Sequence, residues 1–279
     1  MDRQFFRRLG RRLKWRLAPA LGARTLPGVE GRVHRADAML YDESEASIAN
    51  YVRAARSAMA NIEGALDSVD RTFEDVTSCL DFGCGHGRVL RFLQQRIPPS
   101  QITACDVDEG GVRFCAAEFG VRPLVSNWDL RKVRLGRYDL IWSGSVFTHL
   151  DGDDGDLLLE RLAQSLEPGG LLVFSIHGRF CIDGLDQLYN GLYAEVADEI
   201  RREVAENGYS FRVYEDPRFG RFPAKYGMTW HDLDYLESRV TTLSGGRLRR
   251  VYWQPQGWDH HHDVVGFERM AEFGDPGPA

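Results

Sequence analysis

Nowhere in the 279 residues is there a run approaching the ~20 consecutive apolar side chains that a bilayer span requires. The N-terminal segment carries arginines where a secretory signal would have its apolar core. Both absences predict a cytoplasmic, non-secreted protein. Cysteine is scarce: Cys79, Cys84, Cys105, Cys115 and Cys181 are odd in number and form no C-x-x-C pair. Reduced, mostly buried thiols are therefore expected, not a disulfide framework. A basic balance is missing as well. The net charge is -6, and residues 1–25 hold eight Lys/Arg against Asp2 alone, which leaves -13 on the rest. A nucleic-acid-binding body is normally basic, so no nucleic-acid partner is expected.

What is present is an ordinary globular balance, 43% apolar, 27% charged and 11% aromatic, in a chain long enough for one large domain with an appended segment. Within a basic arm at residues 1–25, Phe5, Leu9, Leu13 and Leu17 recur every fourth position among arginines until Pro19. This amphipathic pattern has two readings: a peripheral membrane contact on anionic lipid, or packing against the protein itself or a partner. Residues 26–75 form an N-terminal helical segment. There, Asp42 with Glu45 resembles a capping box, and Ile48, Val52, Ala55, Met59, Ile62 and Leu66 follow at helical spacing. Met39 and Tyr41, just before it, are placed to cover a ligand mouth or simply to pack.

From residue 76 the period changes. Apolar runs at Val76–Phe82, Ile102–Asp106, Pro123–Ser126, Tyr138–Gly144 and Leu171–Ile176 alternate with helical patterns. One of those patterns runs through Leu158, Leu159, Leu162 and Leu166. This predicts a doubly wound, Rossmann-like α/β sheet over 76–279, mostly parallel, with ligands at the carboxyl ends of its strands. An insertion at about 178–247 interrupts it. Within the insertion, Leu185, Leu188, Leu192, Val196, Ile200 and Val204 predict one long helix, and Tyr226, Trp230 and His231 an acceptor wall or a hydrophobic anchor.

The first strand runs into Asp81-Phe82-Gly83-Cys84-Gly85-His86-Gly87-Arg88, and Asp106 ends the second. Glycines at every second position let a ligand approach the main chain. An acid placed to accept both hydroxyls of a ribose completes a nucleoside site. A dinucleotide fingerprint would need glycine where Arg88 stands, and a carboxylate before the loop offers nothing to a pyrophosphate. This segment resembles the first motif of the class I S-adenosylmethionine-dependent methyltransferases, and Ala104-Cys105-Asp106-Val107-Asp108 the second. Tyr138-Asp139-Leu140-Ile141-Trp142 and Leu166-Glu167-Pro168-Gly169-Gly170-Leu171 resemble the segments those enzymes carry at their fourth and fifth strands. The resemblance implies seven strands, the last antiparallel, closed by a hairpin of Leu248–Gln254 with Asp263–Arg269. It also implies that Gly83, Gly85 and Gly87 shape the methionine pocket of S-adenosylmethionine, that Asp81 approaches its ammonium and that Asp106 holds its ribose. Where the family often has an acid for the adenine amino group, this chain has Asn127-Trp128-Asp129. Asn127 is expected to bond adenine, and Trp128 either packs on it or joins the core.

Methyl transfer is mainly a matter of holding donor and acceptor in line. A hydroxyl or protonated amine must also lose a proton, and histidine titrates nearest neutrality. His149, after the fourth strand, is the first candidate base and His177, ending the fifth, the second. His86 is expected to shape the donor pocket. In the run His260-His261-His262-Asp263, strand alternation would put at most two ligands on a face, so no metal is expected. The chain has no Asn-Pro-Pro-Tyr or Pro-Cys pair after the fourth strand, which disfavours DNA base methylation. The expected function is methyl transfer to a hydroxyl or amine of a small molecule or glycan. Rival readings are an NAD-dependent oxidoreductase and a non-catalytic donor-binding regulator.

Overall fold

The computed structural model describes residues 22–214 and 225–270. The amphipathic pattern up to Pro19 and residues 215–224 lie outside the described residues. A short antiparallel pair, β1 (Ala23–Thr25) with β2 (Arg32–His34), precedes α1 (Glu45–Asp67). The cap of α1 is Ser44, whose hydroxyl accepts from the Ser47 N–H, while Asp42 holds the Ser44 N–H and hydroxyl. The cap thus falls at Ser44, two residues after the expected Asp42, without a capping box. Tyr51, Val52, Ala55, Ala58, Ile62 and Leu66 form the buried stripe of α1.

The main sheet has seven strands: β3 (Cys79–Phe82), β4 (Ile102–Asp106), β5 (Arg122–Val125), β6 (Tyr138–Ser143), β7 (Leu166–Ile176), β10 (Leu248–Trp258) and β11 (His262–Arg269). Their spatial order is β10-β11-β7-β6-β3-β4-β5, with β3 to β7 parallel and β11 antiparallel to both β7 and β10. Side chains alternate between two cores, as a strand period of two demands. Cys79, Ala104, Leu140, Trp142, Leu171 and Val173 join the α1 side. Leu80, Cys105, Ile141, Leu172, Phe174 and Phe267 join the opposite side. Each fully buried aliphatic or phenyl group stabilises by about 1.5–3 kcal/mol, and covering both faces in this way makes the parallel strands read as continuous apolar runs.

Two crossover helices matter for the site. α2 (Leu90–Leu93) follows the glycine loop, and α3 (Glu109–Phe119) packs beside it. On the opposite face α4 (Gly152–Gln164) starts at the Asp151 cap, whose carboxylate accepts from the Asp154 N–H. Leu166 begins β7; it does not end α4, contrary to the periodicity.

The insertion is not one long helix. It contains α5 (Arg179–Asp183), two short 3-10 turns and α6 (Ala197–Asn207), then the hairpin β8 (Tyr209–Val213) with β9 (Gly227–His231), and finally α7 (Leu233–Leu243). Tyr189 and Asn190 take left-handed φ of 57° and 56°, which break the helix, and Gly191 continues the turn. Ile182, Leu185, Tyr193, Ile200, Val204, Met228 and Trp230 build a small core of their own. By contrast, Leu236 and Val240 of α7 return to the main sheet. All five cysteines are buried and free, and no described helix is long and apolar enough to cross a membrane.

Candidate active site

The carboxyl ends of β3, β4 and β6 border a cavity of about 410 Å³. Gly83 turns the chain out of β3 with φ +84°, and a Cβ there would lie 2.4 Å from Val146 Cγ2. The turn is stapled to β4: the Gly83 and Cys84 N–H groups donate to the Cys105 carbonyl at 2.8 and 3.1 Å. The Gly85 N–H donates to one Asp106 carboxylate oxygen at 2.8 Å, and the Asp108 N–H to the other at 2.8 Å. A carboxylate has roughly four acceptor sites, so Asp106 keeps lone pairs facing the cavity for two further donors.

Asp81 supplies the strongest electrostatic feature. It is 2% exposed, lines the cavity, and its Oδ2 is buried with no hydrogen-bond partner among the described residues. Burial, and after it the neighbouring Asp106 charge, push its carboxyl up to about 7. An unpaired buried acceptor of this kind costs free energy unless something positively charged meets it. A cationic ammonium answers that need, and vicinal hydroxyls answer Asp106; a pyrophosphate would meet both carboxylates. The cradle therefore fits S-adenosylmethionine. His86 also lines it, stacked on His34 at 4.9 Å.

α3 approaches this turn closely because residue 111 is glycine. A Cβ on Gly111 would sit 2.4 Å from the Gly85 carbonyl oxygen and 2.9 Å from its carbon, both main-chain atoms that cannot rotate away. Alanine would gain about 0.8–1 kcal/mol of helix propensity but force a main-chain shift costing about 1–3 kcal/mol. Gly111→Ala is thus expected to lower the melting temperature and weaken donor binding. Gly155→Ala, in α4 with nothing within 4 Å of its Cβ, is expected to raise the melting temperature. Thermal denaturation of the two variants checks the contrast.

The other side of the cavity is lined by Trp128, His149, Leu150, Asp154, Lys225 and Tyr226. His149 stacks on Tyr226 at 5.1 Å, and Trp128 meets Tyr226 edge-on at 5.8 Å. Trp128 is 43% exposed, so it belongs to the cavity wall and not to the core. The Asn127 side-chain oxygen accepts from the Asp129 N–H at 2.9 Å. His149 Nδ1 lies 2.8 Å from the Gly227 carbonyl and 3.2 Å from the Tyr214 hydroxyl. A carbonyl only accepts, so Nδ1 carries the proton and Nε2 keeps its lone pair. Burial lowers the His149 pKa below the usual imidazole value, which leaves the ring neutral near pH 7.

Four expected positions stand elsewhere. Gly87 packs behind the loop, where a Cβ would meet Phe119 at 2.6 Å. Trp230 is fully buried in the insertion core against Tyr193. His231 lines a second cavity with Asp232, Trp253 and Asp263, and burial lowers its pKa to about 4. His177 is 2% exposed, its Nδ1 donating to the Thr229 carbonyl at 3.0 Å, outside the main cavity. The expected acceptor wall of Tyr226, Trp230 and His231 therefore reduces to Tyr226, because Trp230 is packed into the insertion core and His231 faces the second cavity. The histidine run departs from expectation too. His260 and His261 fall in the turn before β11 instead of continuing the strand. His261 and His262 both reach His177, so three histidines do gather, through a residue distant in sequence.

Sequence reasoning missed several lining residues. Asp37, bonded to the Tyr51 hydroxyl at 2.7 Å, reaches the cavity from before α1. Trp258 reaches it from the end of β10, edge-on to Trp142 and 5.2 Å beneath the Arg88 guanidinium. Neither carries a local motif; α1 holds both, Asp37 through the Tyr51 hydroxyl and Trp258 through its Nε1–H donated to the Ala54 carbonyl at 2.8 Å. Met39, expected near the mouth, does line the cavity, whereas Tyr41 is 80% exposed.

Residues 80–172 match the methyltransferase domain family. A malonyl-[acyl-carrier protein] O-methyltransferase of Acetivibrio thermocellus is 29% identical over 126 residues, 44% of this chain and 44% of that protein. A ribosomal RNA small subunit methyltransferase C of Pseudomonas entomophila is 35% identical over 97 residues, 33% of this chain and 29% of that protein. The chain thus spans less than half the length of these curated relatives. Among solved structures, an S-adenosylmethionine-dependent methyltransferase from Clostridium acetobutylicum superposes with a TM-score of 0.50 at 14% identity, covering 79% of this chain and 92% of that one. That likeness is one of fold. With the ordered motifs, the sheet order and the matched domain together, the chain carries a methyltransferase domain over residues 80–172 and resembles the class I S-adenosylmethionine-dependent methyltransferases.

Proposed function

We propose that this chain transfers a methyl group from S-adenosylmethionine to a hydroxyl or amine of a small-molecule or glycan acceptor. The observation that carries the reading is the unpaired, buried Asp81 oxygen beside Asp106, in a cavity that continues past the donor cradle to a neutral His149. When bound, the donor supplies an electrophilic methyl on a cationic sulfur. Asp81 then pairs its ammonium, Asp106 accepts from its ribose hydroxyls, and Asn127 and Trp128 hold the adenine edge. Tyr226 and Trp128 bound the acceptor space with aromatic surface. His149 Nε2 takes the proton that a hydroxyl or ammonium acceptor must lose.

The acceptor class follows from charge. Asp37, Asp81, Asp106 and Asp154 line the cavity, and its cations are a half-buried Arg88 and a Lys225 whose Nζ is 3.0 Å from Asp151. A neutral or cationic acceptor is favoured there over a carboxylate. The curated relative named for a malonyl carrier protein supports a second arm in the same test. Turnover of methyl-labelled donor across a panel of phenols, amines, sugars, a malonyl thioester and ribosomal RNA tests the proposal. Label on a hydroxyl or amine is the expected result. Label confined to the thioester or the RNA would overturn the acceptor class, and donor binding without any product would favour a regulatory protein.

A further inference from the structure

Three histidines meet outside the donor cavity. His177 ends β7, His261 lies in the hairpin turn and His262 begins β11, and one ligand atom from each lies within 4.8 Å of the others. Ring centroids are 4.6 Å apart for His177–His262, 4.9 Å for His261–His262 and 5.7 Å for His177–His261. Two of the rings are oriented from behind. His177 Nδ1 donates to the Thr229 carbonyl, which fixes Nε2 as its lone-pair nitrogen. His262 Nδ1 lies 3.3 Å from the Ser175 hydroxyl, itself held at 2.8 Å by the Ser145 N–H. This back-side bonding is the arrangement that aims imidazole ligands at a metal. Tyr189 walls the group, its ring 5.7 Å from His177 and 5.5 Å from His261.

We infer that His177, His261 and His262 form a three-histidine site for a divalent transition-metal ion of the zinc class. Imidazole nitrogens suit such ions, and three of them leave a fourth tetrahedral position for water. Bringing nitrogens now within 4.8 Å to tetrahedral spacing needs only small ring movements. The ion ties the closing hairpin to the end of β7, and through the isolated bridge between His177 and Trp230 to the insertion. Its role is to lock the insertion onto the sheet, one packed layer away from the donor: Trp258, which lines the donor cavity, lies 5.3 Å from His262.

The test uses the full chain without an affinity tag, stripped with chelator and titrated with Zn2+ or Co2+ alone. The expected result is one ion per chain, visible d–d absorption with Co2+, and a melting temperature raised by Zn2+. His261→Ala should weaken binding at least about tenfold, whereas His260→Ala should bind as the unmodified chain does. Binding that survives both His261→Ala and His262→Ala, or no binding near one equivalent, would overturn the site. Anomalous scattering at the zinc edge from zinc-soaked crystals of the unmodified chain reads the same question without a variant. A peak among the three rings supports the site, and peaks only elsewhere refute it.

Discussion

Asp81→Asn should cost this protein most of its donor affinity while leaving the fold intact. The change keeps the size of the side chain but removes the charge proposed to meet the donor's ammonium inside a buried pocket. Truncating one partner of such a pair costs about 2–5 kcal/mol, roughly thirtyfold to several thousandfold in Kd. The same residue sets two opposite pH dependences. With its carboxyl pushed up to about 7 in the free protein and near 3.9 when unfolded, the folded state holds the extra proton between those values. The stability of the free protein therefore falls as pH rises across that window and is level above it. Donor affinity does the reverse, rising through about 7 as the carboxylate forms. Asparagine should flatten both profiles, and calorimetry against pH on the two proteins measures them. An unchanged Kd in the variant would remove Asp81 from the donor site.

His149→Ala is the second large effect. Losing a positioned base costs about 10²–10⁴-fold in kcat, and because His149 stands across the cavity from Asp81 and Asp106, donor Kd should stay within about twofold. Burial lowers the His149 pKa below the usual imidazole value. The acidic limb of the unmodified enzyme's kcat profile should accordingly lie below about 6.5, and it should vanish in the variant. A kcat that barely changes would mean that positioning alone drives transfer. The donor site would be untouched by that outcome.

The parts of the fold that the sequence disclosed are those governed by local rules. β3, β4, β5 and β6 fall within a few residues of their apolar runs, and Gly83 and Gly85, with Asp81 and Asp106, line the cavity at the sheet's carboxyl edge, while Gly87 packs behind it. What stayed hidden depends on contacts between distant segments. The insertion's apolar spacing reads as one helix, yet Asn190-Gly191 is itself a turn signal that the periodicity outweighed. Trp230 and His231 carry suggestive chemistry, but the pairing of β9 with β8 decides which way they face. His261 and His262 looked unable to gather a third ligand because the third, His177, is more than eighty residues away in the chain and joins them only when β11 pairs with β7. Asp37 and Trp258 line the cavity from opposite ends of the chain because α1 holds both.

The most direct measurement is a calorimetric titration of the unmodified chain with S-adenosylmethionine and, separately, with a nicotinamide dinucleotide. One site per chain for the sulfonium nucleoside and no heat from the dinucleotide is the predicted outcome. A saturable dinucleotide isotherm, or silence from S-adenosylmethionine, would contradict the reading of the acid-flanked glycine turn.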